Sequence, residues 1–568
     1  MLDFKSLKDL LPLADASFVS LRSTKKIYVD KTEYIYNLAR NSQPRILTRP
    51  RRFGKSTLLS TLKELFEHGV KPYDGHDSYF KGLAIEKLWK DKAKYHIIHL
   101  DLFSINDECT TVDEFRQNLN NCLESFAQQF GVILPVDADK PSKKLKALVS
   151  NLSDQSVALL IDEYDAPLLS HIGNKEEESE VSLILKGIFS AVKIYSQKFR
   201  CVFATGITRY QDLGLGTAGN SFTDITNDPD FGACCGYTRE ELKQYFADNL
   251  RYAASIKAGC SDNEVTEEQI DSLLDSMAQW YDGFCFDDVA SSKVFSTWSV
   301  LRFFTDPLSR LLPYWSAEEG LGLPQLLKVS LRKINIQSLL EEVASGNIRV
   351  DYFKFIQSSL INPEANPYAL LFQTGYLTLS QPFIIGDEVY LDTPNREISI
   401  AFANLVAVRL FGDNLRFTTK YSVETERILV SLDPNKIQDH FNALFASIPY
   451  EHYPVQGESM VAALIYFYLL GAGLQPRCEE SESKGRPDAI IDLKEHGITI
   501  VFEYKYVEDS DPKILDAKLY EAEEQVKSRD YGHNIKSEKK IARFALVFCG
   551  AQSERKIARM SLVDLIEK

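Results

Sequence analysis

Apolar residues in the first 225 positions fall into short, nearly unbroken runs that are separated by longer amphipathic segments. The runs lie at 45–48, 95–102, 157–161 and 201–206. Unbroken apolar runs of this length are typical of parallel strands that are buried on both faces. Because these runs alternate with helical patterns, residues 1–225 are predicted to form an α/β sandwich around a parallel sheet.

The pattern changes three times after this region, which predicts a multidomain α/β protein. Residues 226–330 have a helical pattern and are predicted to form a helical lid. Residues 331–450 mix helices with a hairpin at 383–391, where a Gly-Asp turn joins two alternating runs. Residues 451–568 are predicted to form a domain with the element order αβββαβ.

Composition restricts the class of partner and the compartment. The chain has 568 residues with 65 Lys and Arg against 80 Asp and Glu, so its net charge is −15. This balance argues against nucleic-acid binding through overall charge, because phosphate contacts need local Lys and Arg. Basic residues do cluster at 49–55 and at the four positions Lys536, Lys539, Lys540 and Arg543.

The nine cysteines include no Cys-x-x-Cys spacing and are predicted to be reduced thiols. They indicate a reducing, cytoplasmic location, which for a symbiont or parasite includes the cytoplasm of a host cell. The uncharged stretch 459–476 is shorter than a bilayer crossing requires, so it is predicted to be a buried helix without membrane contact.

The first candidate site follows the run at 45–48. The next residues read Arg-Pro-Arg-Arg-Phe-Gly-Lys-Ser-Thr and lead into a helical pattern. A strand, a loop ending in Gly-Lys-Ser and a helix form the context of a P-loop, or Walker A motif, whose backbone N–H groups hold phosphate. Lys55 is predicted to reach the β- and γ-phosphates, and Ser56 to ligate Mg²⁺. Arg49, Arg52, Gly54 and Thr57 complete the predicted nucleotide-binding set, although Arg49 stands where the P-loop pattern has its first glycine.

A Walker B pattern follows at the end of the run 157–161. Asp162 is predicted to hold Mg²⁺ and Glu163 to polarise the attacking water. The run at 201–206 supplies further candidates, namely Thr208 or Thr205 as a γ-phosphate sensor and Arg209 as a residue acting on a neighbouring copy. An equally favoured alternative is purely structural: the threonine caps the end of the strand and the arginine is solvated.

The second candidate site lies near the C-terminus, where Asp488 precedes a Glu503-x-Lys505 motif in apolar runs. Residues i and i+2 of a strand share one face, and a buried carboxylate is costly unless it is paired or holds a metal ion. Asp488 and Glu503 are therefore predicted Mg²⁺ ligands, and Lys505 the partner of the attacking water. Glu458 is predicted to act as an additional carboxylate and Gln525 as an orienting group. A surface salt bridge on a strand is the alternative interpretation.

These residues, with their surrounding elements, resemble the PD-(D/E)xK nuclease superfamily, and the resemblance covers about the last 120 residues. Most of the chain is similar to the AAA-ATPase-like family, in which an N-terminal ATPase is fused to such a nuclease domain. That resemblance implies ATP and Mg²⁺, for which Mn²⁺ can substitute, and a nucleic-acid substrate, with DNA favoured over RNA. The segments that carry it are 28–32, 49–56, 162–165, 205–209, 224–226, 235–238, 280–284 and 371–377.

Two functions remain open at this stage. The first is an ATPase coupled to a metal-dependent nuclease, which the intact Asp488, Glu503 and Lys505 favour. The second is a nucleotide-switched interaction module, toxin-like or regulatory, which keeps a non-cleaving nuclease fold and binds a protein partner or a second copy of itself. The acidic net charge favours this second function.

Overall fold

The chain divides into two compact units. The first unit comprises residues 1–330 and 350–395, and the second unit comprises 331–349 and 396–568. The predicted boundaries at 225, 330 and 450 are finer than this division and stay predictions. The computed structural model describes residues 3–209, 222–315, 338–339, 342–343, 348–356, 366–383, 388–411, 422–447, 457–477, 487–493, 496–529, 540–551 and 555–567.

A parallel sheet forms the centre of the first unit. Its strands are β1 (Arg45–Thr48), β2 (His96–Asp101), β3 (Val157–Asp162), β4 (Phe199–Gly206) and β5 (Thr223–Asp224). The spatial order is β2-β3-β4-β1-β5, and every neighbouring pair is parallel. The predicted parallel α/β architecture is confirmed for this region. The carboxyl ends of all five strands meet at one edge, which is where open α/β sheets bind ligands.

Helices cover the two faces of this sheet because each has one apolar stripe. In the longest helices the buried residues recur at helical spacing, as at Phe115, Leu119 and Leu123. The helices are α1 (Phe4–Asp9), α2 (Phe18–Ser23), α3 (Thr32–Ala39), α4 (Lys55–His68), α5 (Ile85–Leu88), α6 (Leu102–Asn106), α7 (Val112–Phe130), α8 (Pro141–Ser150), α9 (Ala166–Ser170) and α10 (Lys175–Ile194).

The rest of the first unit is mainly helical, with two small sheets. Helices α11 (Arg239–Tyr245), α12 (Ala247–Ala258), α13 (Glu267–Tyr281) and α14 (Thr297–Phe304) are followed by α15 (Tyr352–Ile356) and α16 (Pro367–Gln373). The small sheets are β6 (Phe284–Cys285) with β7 (Lys293–Val294), and β8 (Ile348–Asp351), β10 (Glu388–Asp392) and β9 (Thr378–Leu379) in that order. The Gly-Asp turn of the predicted hairpin lies outside the described residues.

The second unit is built on a mixed four-stranded sheet. Strands β11 (Ala489–Leu493), β12 (Ile498–Val507), β13 (Lys540–Cys549) and β14 (Lys556–Glu567) lie in chain order. β12 and β13 are parallel, whereas the other two pairs are antiparallel. The parallel pair requires a crossover, which α21 provides. The helices are α17 (Arg396–Phe411), α18 (Ser422–Val430), α19 (Pro434–Ser447), α20 (Glu458–Gly471) and α21 (Pro512–Arg529).

This order agrees in part with the predicted αβββαβ. In the described residues α20 is followed by a single antiparallel bridge between Arg477 and Ile490, and then by β11, β12, α21 and β13. The last strand, β14, was not predicted. Helix α20 is apolar on all sides and is buried within this unit. Across the described part of the chain, no helix combines the length and apolarity that a bilayer crossing needs.

Candidate nucleotide pocket and carboxylate cluster

The loop between β1 and α4 takes a conformation that only a few residue types adopt readily. Gly54 has φ +92° and directly precedes α4, and Arg52 has φ +65°. The side chain of Gly54 is absent, so no side chain caps the first N–H groups of α4. A helix start with uncapped N–H groups and the positive end of the helix dipole is suited to binding an anion.

Lys55 is held inside this loop. Its side chain is buried, and its ammonium donates hydrogen bonds to the carbonyl oxygens of Arg49 and Pro50, both at 3.0 Å. Neutral carbonyls are weaker acceptors for an ammonium than phosphate oxygens are. The Lys55 ammonium is therefore placed where an incoming phosphate group can replace its present acceptors.

Arg49 points away from the pocket. Its guanidinium donates to the carbonyl oxygens of Thr48 at 2.9 Å, Thr226 at 2.7 Å and Phe231 at 2.9 Å, and lies 4.5 Å from the ring centre of Phe286. The residue is only 1% exposed and does not line the cavity described below. The structure thus gives Arg49 a positioning part, because it joins the start of the loop to distant backbone.

Arg52 differs from Arg49 because it does line the cavity. Its guanidinium lies 4.5 Å from the ring centre of Trp298, a cation–π arrangement that orients the side chain. Its carbonyl oxygen accepts a hydrogen bond from the hydroxyl of Thr297. These two contacts fix the left-handed residue of the loop against the start of α14.

The predicted Walker B carboxylates take up two different environments. Asp162 is buried and accepts hydrogen bonds from the Thr205 hydroxyl and, at 3.0 Å, from the N–H of Glu163. Glu163 has φ +46° and lines the cavity. Burial raises the pKa of the Glu163 carboxyl, and the positive charges of Lys55 and Arg51 oppose that increase. A carboxyl whose pKa is raised is better suited to accept a proton than a fully solvated one.

Behind these carboxylates, Asp165 organises the residues that follow β4. It is fully buried and accepts from the N–H of Ile207 at 3.0 Å and from the N–H and hydroxyl of Thr208 at 2.7 and 2.8 Å. The Thr208 hydroxyl is therefore engaged by Asp165 and does not line the cavity. Gly206 has no room for a side chain, because a Cβ atom there would lie 2.6 Å from the ring of Tyr164.

Arg209 is committed to partners within its own chain. Its guanidinium forms an ion pair with Asp224 at 2.9 Å and a hydrogen bond with the side chain of Asn227. The residue is 8% exposed, and its N–H donates to Gln373 at 2.9 Å. This placement does not suit the predicted action on a neighbouring copy, since such a role needs an exposed guanidinium.

One cavity of about 370 Å³ is lined by Arg52 and five further candidates, but not by Asp162. Gly54, Lys55, Ser56, Thr57 and Glu163 line one part of it. The rest of the wall is more apolar, and sequence reasoning assigned none of its residues a role. Those residues include Leu21, Ile27, Tyr28, Val29, Tyr237, Trp298 and Leu301. A polar end beside an apolar wall is the usual composition of a pocket for a nucleotide-sized ligand.

In the second unit, the residues of the predicted metal site come together around β12. Glu503 and Lys505 share one face of the strand, and the Lys505 ammonium lies 3.0 Å from Glu503 Oε1 and 3.5 Å from Glu458 Oε1. Asp488 approaches from the residue before β11, and its Oδ2 accepts from the N–H of Tyr504 at 2.6 Å. One ammonium thus faces three carboxylates in this carboxylate cluster, which we define as Glu458, Asp488 and Glu503.

The electrostatics of the carboxylate cluster show an excess of negative charge. Burial raises the pKa of Asp488 to about 8, and the charge of Glu503 adds to that increase. Burial also raises the pKa of Glu503, against the opposing effect of Lys505. Glu503 is 1% exposed, and its Oε2 atom has no hydrogen-bond partner among the described residues. A buried carboxylate oxygen without a partner, in a set of hard oxygen donors, fits a divalent cation such as Mg²⁺.

Two observations qualify this second site. In the part of the chain that the structure describes, the carboxylate oxygens of Glu458, Asp488 and Glu503 do not all lie within 4.8 Å of one another. The possible ligand atoms of Glu64, Glu67 and His68 do lie that close together. Gln525 lies half-buried on α21. Its neighbour one turn later, Arg529, is close enough to lower the pKa of Glu503, and sequence reasoning did not include it.

Basic residues of the cluster near the C-terminus form ion pairs where the structure describes them. Lys540 pairs with Glu567 at 2.8 Å, and Arg543 is 3% exposed and pairs with Asp564 at 3.2 Å. The other two basic residues of this cluster, at positions 536 and 539, lie outside the described residues. The acidic partners all belong to β14, the strand that was not predicted.

Comparisons with known proteins agree with the first unit. A family model described as "Predicted AAA-ATPase" matches residues 12–215, which include β1, α4, β3 and β4. The chain is also 25% identical over 517 residues to "Uncharacterized protein in vnfD 5'region" of Azotobacter chroococcum mcd 1. That similarity covers 88% of this chain and 89% of the relative, so it extends well past residue 215. No solved structure matches the chain. Residues 12–215 are therefore similar to a predicted AAA-ATPase family, and the family model does not reach the carboxylate cluster.

Proposed function

We propose that the first unit binds ATP with Mg²⁺ and hydrolyses it. The observation that carries this proposal is the cavity in which the uncapped start of α4, Lys55 and Glu163 face the same space. The α4 N–H groups and Lys55 bind the phosphates, and Ser56 and Asp162 are the residues that would hold the metal ion. Bound Mg²⁺ would neutralise charge on the phosphates. Glu163 orients the attacking water and accepts its proton.

The test separates binding from turnover. Purified protein is titrated with ATP and Mg²⁺ by calorimetry, and phosphate release is measured in parallel. Glu163→Gln should bind ATP and release no phosphate, because the variant keeps the side-chain shape and loses the proton acceptor. Glu176→Gln, at an exposed position of α10, is the matched control. Wild-type protein without measurable ATP affinity would reject the proposal.

We propose further that the carboxylate cluster cleaves phosphodiesters of nucleic acid, with DNA favoured over RNA, in a Mg²⁺- or Mn²⁺-dependent reaction. The unpartnered Glu503 Oε2 and the raised pKa of Asp488 support this role, because a divalent cation would neutralise charge at both groups. Asp488 and Glu503 would hold the metal ion, which would activate water and stabilise the transition-state charge. Lys505 orients the attacking water, with Glu458 and Gln525 as its neighbours.

Cleavage is tested on plasmid and single-stranded DNA, with and without ATP and divalent metal. Asp488→Ala, Glu503→Ala and Lys505→Ala should each abolish cleavage without unfolding the protein. Glu508→Ala, at the exposed position directly after β12, is the control. Variants that cut as fast as the wild type would place any activity elsewhere.

A nucleotide-switched interaction module is the second candidate function. The ion pair of Arg543 favours it, because this buried cation already has an acidic partner within the fold. In this case the nuclease fold serves to bind a protein partner or a second copy of the chain. Wild-type protein that binds ATP and cuts no substrate in any nucleotide state, with either metal, would support this function over cleavage.

A further inference from the structure

Two adjacent thiols lie in the wall of the nucleotide cavity. Cys234 and Cys235 are each 2% exposed overall, and both line the cavity together with the P-loop residues. The sequence contains no other pair of adjacent cysteines. Neither thiol has a part in the proposed hydrolysis, so their position at this cavity needs a separate explanation.

The backbone on both sides of the cysteine pair is hydrogen-bonded to the P-loop. Before the pair, the Phe231 carbonyl accepts from the Arg49 guanidinium at 2.9 Å. After the pair, the N–H of Gly236 donates to the Phe53 carbonyl at 3.0 Å. These two hydrogen bonds to the same loop hold the thiols at the cavity wall. A group that is attached to the thiols therefore stays next to the P-loop end of the cavity.

The local electrostatics favour a reactive sulfur. A hydrogen bond from the Cys235 thiol to the Cys234 sulfur lowers the pKa of Cys234 to about 7. The charges of Arg49 and Lys31 act in the same direction, and burial opposes them. Because the thiolate is the reactive form of cysteine, the pair contains a nucleophile at neutral pH. The same interaction, together with burial, raises the pKa of Cys235 well above its ordinary value, so Cys234 is the nucleophile of the pair.

We propose that Cys234 and Cys235 form a vicinal dithiol site for trivalent arsenicals, and that an arsenical bound there excludes nucleotide from the cavity. Soft thiolate ligands select soft, thiophilic centres, and two neighbouring sulfurs can bind one such centre as a chelate. The second half of the inference rests on the proposed nucleotide site.

The reaction needs no oxidant or reductant. An organoarsenic(III) oxide reacts with two thiols to form two As–S bonds, while the arsenic–oxygen bonds break. The two thiol protons leave with that oxygen as water, and arsenic remains in the trivalent state. The adduct adds an arsenic atom and its organic group to a cavity of about 370 Å³. The adduct then competes with a triphosphate nucleotide for the space beside Lys55.

The experiment treats full-length protein with phenylarsine oxide and measures the adduct by intact-protein and peptide mass spectrometry. We expect one adduct on the peptide that contains residues 234–235, slower formation when Mg²⁺-ATP is present, and at least about a tenfold loss of ATP affinity. A dithiol such as dimercaptopropanol should restore binding, whereas a monothiol at the same concentration should not, because only a dithiol competes with a chelate.

Cys234→Ser, Cys235→Ser and the double variant are the matched controls, each compared with its own untreated ATP affinity. The single variants should lose the dithiol-specific adduct, and the double variant should keep its affinity after treatment. Equal adduct formation and equal loss of affinity in the double variant would overturn the inference.

The outcomes also separate this inference from the proposed function, and wild-type labelling decides it even where a variant folds poorly. No adduct at residues 234–235 of the wild type overturns the dithiol site, whatever the nucleotide result. An adduct there with unchanged ATP affinity overturns the exclusion of nucleotide. An adduct on protein that never binds ATP keeps the dithiol site and rejects the nucleotide proposal.

Discussion

The two candidate sites differ in what their charged groups contact before any ligand arrives. In the nucleotide cavity the cation is satisfied, because the Lys55 ammonium has two carbonyl acceptors at 3.0 Å. In the carboxylate cluster the charges are not satisfied. Glu503 keeps a buried oxygen without a partner among the described residues, and the pKa of Asp488 is raised to about 8. The first site is preorganised at little cost, whereas the second carries an electrostatic cost that a cation would relieve.

This difference teaches how each site should respond to mutation. Where the ligand-free state is satisfied, a substitution in the binding group removes function and gains no stability. Where the ligand-free state is crowded with like charges, neutralising one of them should remove function and raise stability. Such a trade between function and stability is common at functional sites. Measuring stability and function of variants at both sites shows whether one site has this trade and the other does not.

The largest expected effect concerns Lys55 in the nucleotide cavity. Lys55→Ala should weaken ATP binding by at least about tenfold, because the β- and γ-phosphates lose their charged partner. The thermal midpoint without nucleotide should not rise, since the Lys55 ammonium is already hydrogen-bonded. Calorimetry and a thermal scan measure both quantities. Lys71→Ala, at an exposed position after α4, is the control, and equal affinity in the two variants would remove Lys55 from the site.

The second prediction concerns Asp488 and has the opposite sign for stability. Asp488→Asn should raise the thermal midpoint of metal-free protein by about 2–4 °C for each kcal/mol relieved. Mg²⁺ should stabilise the wild type and have little effect on the variant, because binding to the folded state alone raises stability. A variant that is less stable than the wild type without metal would show that the carboxylate cluster is not crowded.

The pH dependence of this second effect follows from the direction of the shift. The folded-state pKa of Asp488, about 8, lies above its ordinary value of 3.8. The folded protein therefore holds a proton that the unfolded chain releases, and stability decreases as the pH rises between these two values. The advantage of Asp488→Asn should grow over the same interval. Thermal scans at several pH values, without divalent metal, measure it.

Sequence reasoning could predict those parts of the sites that are local in the chain. Gly54, Lys55 and Ser56 are consecutive and follow a strand, and Glu163 follows another, so the geometry of a parallel sheet brings them to one edge. In the same way Glu503 and Lys505 share a face because they are two residues apart on one strand. Short spacing and regular secondary structure are sufficient for these placements.

The parts that could not be predicted depend on contacts between distant residues. Arg49 stands at a P-loop position, but its direction is decided by the carbonyls of Thr226 and Phe231, far along the chain. The apolar wall of the cavity is equally remote in sequence. Strand β14 was missed because it pairs only with β13 and is mostly half-exposed, so it lacks the apolar run that marked the other strands.

The third prediction tests whether the P-loop is preorganised by its backbone. Gly54 has φ +92°, and a Cβ atom at this position would meet nothing within 4 Å. Gly54→Ala should therefore cost about 1–2 kcal/mol of stability through backbone conformation without a steric clash. ATP affinity should fall as well, because the start of α4 would shift. Gly69→Ala, which also has positive φ and open space at the far end of α4, is the control for stability. Equal ATP affinity in both variants would contradict preorganisation by Gly54.

The smallest expected effect concerns His440, a titrating group in the second unit that stands apart from the carboxylate cluster. Its Nε2 atom lies 2.7 Å from the Tyr468 hydroxyl and 3.0 Å from the Thr425 hydroxyl. Burial lowers the pKa of His440 below its ordinary 6.5, and the charge of Glu424 only partly opposes this. The unfolded chain therefore binds a proton at this histidine more tightly than the folded state does. Stability is lost as the pH falls through 6.5.

His440 thus acts in the opposite direction from Asp488, and removing it should isolate the effect of the carboxylates. His440→Phe keeps an aromatic ring and removes the titration, while the Thr425 and Tyr468 hydroxyls remain 3.0 Å apart and can bond to each other. We expect the loss of stability on acidification that His440 causes to disappear, so that the decline with rising pH caused by Asp488 becomes steeper below pH 6.5 and stays unchanged above it. Denaturant titrations of wild type, His440→Phe and Asp488→Asn across the pH range measure both limbs. If the alkaline decline disappeared with His440→Phe and persisted in Asp488→Asn, the contrast between a satisfied and a crowded site would be lost, because the pH response would not belong to the carboxylates.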